Sequence, residues 1–236
     1  QDGRLNRAPG GSRIAFTAAI RAVPGETVYR FPLPHHPDIQ PGSVSLSEEI
    51  APFRYAEFRA PVPVEPVRIA FHAPFNDSAS AFHSSNENLN RVYELCRHTV
   101  KATTVFGVYI DGNRERLPYE GDAYINQLGH FALDADYSLA RRTIDHLFKF
   151  PTWPTEWLLA MPLIVRDYWL HSADFGSVRR WYAGLTSKLL LNFTRADGLL
   201  STDGNQNPRD IVDWPMTERD GYEFGKINLV PNCWQY

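Results

Sequence analysis

Hydrophobic and polar positions change rhythm near residue 84. Before it, apolar and polar residues alternate in short stretches at 13–17, 27–31, 43–46, 53–58 and 67–71, separated by turn dipeptides such as Pro9-Gly10, Pro24-Gly25 and Pro41-Gly42. A period of two puts successive side chains on opposite faces, so these stretches predict β-strands. Together they predict a small β-sandwich or part of one over residues 1–83. After residue 84 the period becomes helical. Ser84-Ser85-Asn86-Glu87 has the form of a capping box, in which two side chains satisfy orphan backbone donors of a new helix. Leu89, Val92, Tyr93, Cys96 and Val100 follow on one predicted face.

Further helices are predicted at about 122–135, 137–149, 155–171, 174–195 and 225–236. The first of these carries an apolar face of Ile125, Leu128, Phe131 and Ala132, and the fourth one of Val178, Tyr182, Leu185 and Leu189. Asp197-Gly198 is expected to stop the fourth. Pro162 is expected to kink its helix or mark a boundary, because proline lacks a donor and clashes with the preceding turn. The last predicted helix has barely begun at Tyr236. The expectation is therefore a helical array only partly contained in residues 84–236.

Composition narrows the function. At 236 residues with 43% hydrophobic and 22% charged residues the chain is ordinary globular material. A net charge of -3 and scattered basic residues give no nucleic-acid footprint. No apolar run approaches the ~18–20 residues that span a bilayer. Cys96 and Cys233 fit neither a metal spacing nor a disulfide framework and are read as buried free thiols. The histidines form no metal-ligand spacing, and Asp203-Gly204-Asn205-Gln206 reads as a polar turn. A start at Gln1 rather than Met implies that the true start has been removed, by processing or by choice. That is consistent with an exported, extracytoplasmic protein. Aromatic residues reach 13%, several of them in polar loops, where they either fill the core or stack on sugar C–H faces.

The densest chemistry is the loop 109–122, reading Tyr-Ile-Asp-Gly-Asn-Arg-Glu-Arg-Leu-Pro-Tyr-Glu-Gly-Asp. It holds four carboxylates and two arginines between two predicted helices. Glycoside hydrolysis needs a carboxylic acid to protonate the departing oxygen, and Glu115 is the candidate. Arg114 and Arg116 flank it and would lower its pKa, so Asp111 or burial must push the other way. The competing reading is a solvated loop with surface ion pairs.

Arg114-Glu115-Arg116-Leu117-Pro118-Tyr119-Glu120-Gly121-Asp122 resembles the signature loop of glycoside hydrolase family 78, the α-L-rhamnosidases. Phe53-Arg54-Tyr55-Ala56-Glu57, Ser84-Ser85-Asn86-Glu87-Asn88-Leu89-Asn90 and Ile211-Val212-Asp213-Trp214-Pro215 resemble further family segments, in the family's order. The resemblance implies a β-sandwich segment followed by an α-helical (α/α)6 toroid, a six-hairpin glycosidase fold, with about half of the barrel falling in 84–236. It implies Glu115 as general acid, and Asp111, Arg116, Tyr119, Asp122, Trp157 and Trp214 as substrate-binding residues. Trp153 is an alternative to Trp157 in that register. The spacer after Asp111 is shorter than the family's by one or two residues, and Tyr119 stands where the family usually has Trp. The general base falls in the barrel's second half and has no match among these residues.

The reaction implied is inverting release of terminal α-L-rhamnose, without metal or cofactor. The expected partner is a carbohydrate, with self-association to cover the faces of a partial barrel. Two alternatives stand beside it: a toroid enzyme for another deoxy-sugar or uronic acid, and a non-catalytic carbohydrate-binding module. The segment 216–222, rich in carboxylates, either lines a sugar pocket or caps the next helix.

Overall fold

A computed structural model of the chain describes residues 6–8, 15–25, 55–63, 65, 75–105, 107–112, 117–213 and 215–236. The chain divides into two compact units: Gln1–Phe71 with Gly112–Arg116, and His72–Asp111 with Leu117–Tyr236. In the first unit the stretches at 27–31, 43–46 and 67–71 lie outside the described residues. The described parts of the other two, 15–17 and 55–58, are irregular rather than extended into strands. Arg7 donates to Thr17 Oγ1 (3.3 Å) and to Glu57 Oε1 (3.4 Å), an exposed tie between them.

The second unit is helical. Its elements are α1 (Glu87–Ala102), the strands β1 (Thr104–Val105) and β2 (Val108–Tyr109), then α2 (Glu120–Phe131), α3 (Ser138–Lys149), α4 (Thr155–Ser172), α5 (Phe175–Lys188) and α6 (Leu229–Gln235). The strands form a tight antiparallel hairpin, with Thr104 opposite Tyr109. Gly107 takes φ 72 at its turn. A Cβ there would meet only the flexible end of the Arg142 side chain, so it is the backbone conformation that calls for glycine.

The helices alternate between two layers. α2, α4 and α6 pack in succession, while α3 packs on α5, and each of α1, α3 and α5 packs on an even-numbered neighbour. Contacts between α2 and α4 advance together along both helices. Gly121 meets Trp157, Gln127 Nε2 donates to Ile164 O (3.0 Å), and Phe131 lies 4.5 Å from His171 between ring centroids. The two helices therefore run parallel, with both N-termini at one end. α4 is the centre of the unit. Ala160, Met161, Ile164, Val165 and Tyr168 join Tyr109, Ala123, Ala140, Ile144, Leu147 and Trp181 in the main core, and Leu158 and Leu159 pack on Leu190 and Leu200.

Several local expectations are corrected. α1 is capped by Asn86, whose side chain accepts from Asn88 N, and not by Ser84. Ser84 lies two residues outside, where its N and O both bond the Asn90 carboxamide (2.8 and 3.0 Å). Asn caps as well as Ser does, and it stands closer to the first helical residue. Of the face anticipated on α1, only Tyr93 and Val100 are half-buried. Leu89, Val92 and Cys96 are exposed. Cys233 is exposed too, so neither thiol is a core group.

In α2 the buried residues are Glu120, Ala123, Gln127 and His130, while Ile125 is 72% exposed. Each of the buried polar side chains makes at least one hydrogen bond, although Gln127 Oε1 has no hydrogen-bond partner among the described residues. Tyr109 OH, for example, meets His130 Nδ1 at 2.5 Å. Burial holds the His130 pKa below its usual value, against the pull of Asp134 and Asp136.

Pro162 marks no boundary, and α4 runs ten residues past it. α5 ends at Lys188, earlier than expected, because Leu190 turns left-handed (φ 53) into a short 3₁₀ turn, Leu191–Phe193. Asp197-Gly198 instead forms the tip of a small hairpin in which Arg195 N donates to Leu199 O (2.9 Å) and Thr194 pairs with Leu200.

Candidate active site

The loop holding the candidate acid is set from deep in the core. Tyr109 and Ile110 on and after β2 are almost completely buried. Tyr109 N donates to Thr143 Oγ1 (3.1 Å), and Asn126 Nδ2 donates to Ile110 O (3.2 Å). Asp111 comes next, half-buried. Its N donates to Leu117 O and its Oδ1 accepts from Leu117 N, both at 2.9 Å. These two bonds hold the ends of the loop 112–116 together. Glu115 and Arg116 lie on that loop, outside the described residues.

Beyond Leu117 the chain turns into α2. Tyr119 occupies the N-cap position in an extended conformation (φ -117, ψ 146), and Asp122 lies half-buried in the first turn. Carboxylates in a first turn are favoured by the helix dipole and its unpaired N–H groups. Tyr119 packs edge-on against Trp157 of α4, with ring centroids 5.0 Å apart. The Trp157 indole also lies over Gly121, where an added Cβ would stand 2.9 Å from Nε1. Of the sequence-derived candidates, Tyr119 and Trp157 therefore form one aromatic pair, with Asp122 on the adjoining turn. Gly121→Ala is expected to push the indole off this seat. The Trp157 indole N–H resonance should then shift while α2 stays helical, and an unmoved resonance would mean that the ring is not seated on Gly121.

Trp153 lies in the segment before α4 and is covered by the Arg209 guanidinium, 4.7 Å from the ring centroid. Thr155 N donates to Arg209 O and Arg209 N to Trp153 O, both at 3.1 Å, a short parallel bridge joining this segment to the one before α6. Trp214 lies outside the described residues. The chain leading to it is held by Glu156, which accepts from Ile211 N and Val212 N.

Sequence reasoning passed over two buried carboxylates. Glu120 stands within the signature loop, and Glu156 lies in none of the family segments. Glu120 is fully buried. Its Oε1 accepts from Thr152 N (3.1 Å), and its Oε2 accepts from the Thr152 hydroxyl. Glu156 is 4% exposed, and its Oε1 accepts from Val212 N (3.0 Å) and Ile211 N (3.2 Å). Burial raises the Glu156 pKa, Asp210 adds to the rise, and the backbone donors oppose it. The available signal was an acid in the first turn of each helix, but a solvated first-turn acid gives the same pattern.

Among the described residues no group of three or more metal-ligating side chains occurs, and no helix is long and apolar enough to cross a membrane. An open recess of about 540 Å³, lined by Phe75, Asn76, Asp134, Ala135 and Asp136, lies at the other end of α2. Asp134 there accepts from the backbone N–H groups of Asn76, Ala135 and Asp136, so its carboxylate is occupied in holding the turn between α2 and α3.

No curated protein and no solved structure matches the chain. Residues 77–236 match the family described as the bacterial alpha-L-rhamnosidase 6 hairpin glycosidase domain, which covers the whole helical array and its loops. The fold of that family is a helical toroid of six hairpins, with which the parallel pair α2 and α4 agrees, and the chain belongs to this family of glycoside hydrolases, whose substrates are carbohydrates.

Proposed function

We propose that the protein releases terminal α-L-rhamnose with inversion, by general acid/base catalysis. The observation that carries this reading is the closure of the loop 112–116 by Asp111 and Leu117, within a chain of this family. A loop tied at both ends presents its carboxylate from a fixed base, and proton donation depends on such positioning. Glu115 protonates the glycosidic oxygen as the bond to the anomeric carbon breaks, and a second carboxylate takes a proton from the attacking water. Tyr119, Trp157 and Trp214 stack on the sugar, while Asp111, Arg116 and Asp122 bind its hydroxyls.

Proton NMR of an aryl α-L-rhamnoside during its first turnovers tests the mechanism. Inversion requires β-L-rhamnose as the first product, before mutarotation. Early α-L-rhamnose would mean retention and a covalent intermediate. A second reading is favoured by Tyr119 itself, whose phenol is a smaller platform than the indole usual in the family. It makes the substrate another deoxy-sugar or a uronic acid, and release of such a sugar with rhamnosides untouched would establish it. Sugar binding with no release of any sugar would leave a binding module.

A further inference from the structure

Two carboxylates stand in equivalent places one hairpin apart. Glu120 is the first residue of α2 and Glu156 the second residue of α4. Each reaches forward to the segment preceding the next even-numbered helix: Glu120 to Thr152 before α4, and Glu156 to Ile211 and Val212 before α6. The bridge between Pro154 and Arg209 joins those two segments directly. The three loops assigned above to the sugar are thus fastened in series: that of Tyr119 and Asp122, that of Trp153 and Trp157, and that leading to Trp214.

These are not surface ion pairs. Both side chains are almost wholly out of water and, in the bonds described, accept from backbone N–H groups or a hydroxyl. A buried carboxylate is retained only where its oxygens are satisfied in this way, and the N-terminal end of a helix favours its charge. What Glu156 holds is itself strained. Val212 and Asp213 both have left-handed backbones (φ 50 and 65), an unfavourable state for a β-branched residue. Such conformations persist where the surroundings over-determine them, and they cluster at ligand-binding elements.

We propose that Glu156 is a positioning residue of the sugar site, with Glu120 its counterpart one hairpin earlier: its carboxylate fixes the height and direction of the backbone at Ile211 and Val212. This rests on the reading of those loops as sugar-binding. The reach of the carboxylate, more than its charge, does the positioning, because two consecutive N–H groups must be met from one side chain.

The test compares Glu156→Asp, which keeps the charge but loses a methylene, with Glu156→Gln, which keeps one oxygen at full reach. Both are made in the full chain. For Glu156→Asp, amide exchange at Ile211 and Val212 should accelerate, and KM for an aryl α-L-rhamnoside should rise about tenfold. Its kcat should stay within about threefold, the pattern of lost binding rather than lost chemistry. Glu156→Gln should restore most of both. Unchanged exchange in Glu156→Asp would overturn the proposal. So would equal damage from the two variants, with faster exchange throughout α4, because that describes a folding role without positioning. If exchange responds as expected but the unsubstituted protein cleaves no rhamnoside, the fastening stands and the rhamnoside reading alone falls.

Discussion

Glu115→Gln lowers turnover of an unactivated α-L-rhamnoside by about 10²–10⁴-fold, the usual size of a general-acid contribution. The amide has nearly the shape of the acid but no proton to give. The loss should be graded by leaving group. A nitrophenolate departs without protonation, so its glycoside should lose far less than an alkyl rhamnoside or a disaccharide. Steady-state kinetics on two such substrates measures the ratio of the two losses. Equal losses would assign Glu115 to positioning the sugar and return the proton donor to another carboxylate.

The second large effect concerns stability and tests which faces of the helices are buried. Met161 is fully buried in the middle of α4, within the main core. Met161→Ala removes its packing and leaves a cavity that its neighbours only partly fill, an expected cost of about 2–5 kcal/mol. Ile125, 72% exposed on α2, is the contrast. Ile125→Ala should fall within about 0.5 kcal/mol of the parent, as surface changes usually do. Denaturant melts followed by helical signal measure both, with the midpoint moving and the slope unchanged for Met161→Ala. A large loss at Ile125 would mean that its face of α2 is covered in the folded protein.

That contrast shows where periodicity misleads. The spacing of Ile125, Leu128 and Phe131 points to an apolar buried stripe, yet the face turned inward holds Glu120, Gln127 and His130. The inward face of α2 is selected by partners that lie far away in sequence. Gln127 is matched to a carbonyl at Ile164, and Glu120 to a threonine at 152. A polar residue with a buried partner and one facing water look alike in a sequence. Lys188 makes the same point. It is 6% exposed, its Nζ is 3.5 Å from Leu147 O, and burial holds its pKa below the usual lysine value. Its place near the end of α5 suggests only a solvated charge facing the helix C-terminus.

The signature loop and its neighbours were legible because they are chemically dense and local. Arg114 to Asp122 carries its meaning in residue types and spacing, and the family match over 77–236 includes it. The pairing of Tyr119 with Trp157 was only half legible. Both residues are named as sugar contacts, but nothing in the sequence says that Gly121 leaves room for the Trp157 indole to lie over it and against Tyr119. The carboxylates at 120 and 156 were not legible as fasteners.

By itself, then, the sequence determined that helices follow residue 84 and where their apolar stretches begin, because helical period and turn residues act over a few positions. It also determined the composition of the loop 109–122, which carries the family resemblance. The tertiary structure alone decided which face of each helix is buried and that α2 and α4 run parallel. It alone closed the loop 112–116 through Asp111, and it spent two buried acids on the backbone of the following hairpins. Apart from that closure, which spans six residues, these depend on contacts across about 30 to 60 residues of chain, where the partner of a polar group exists only once the helices have packed.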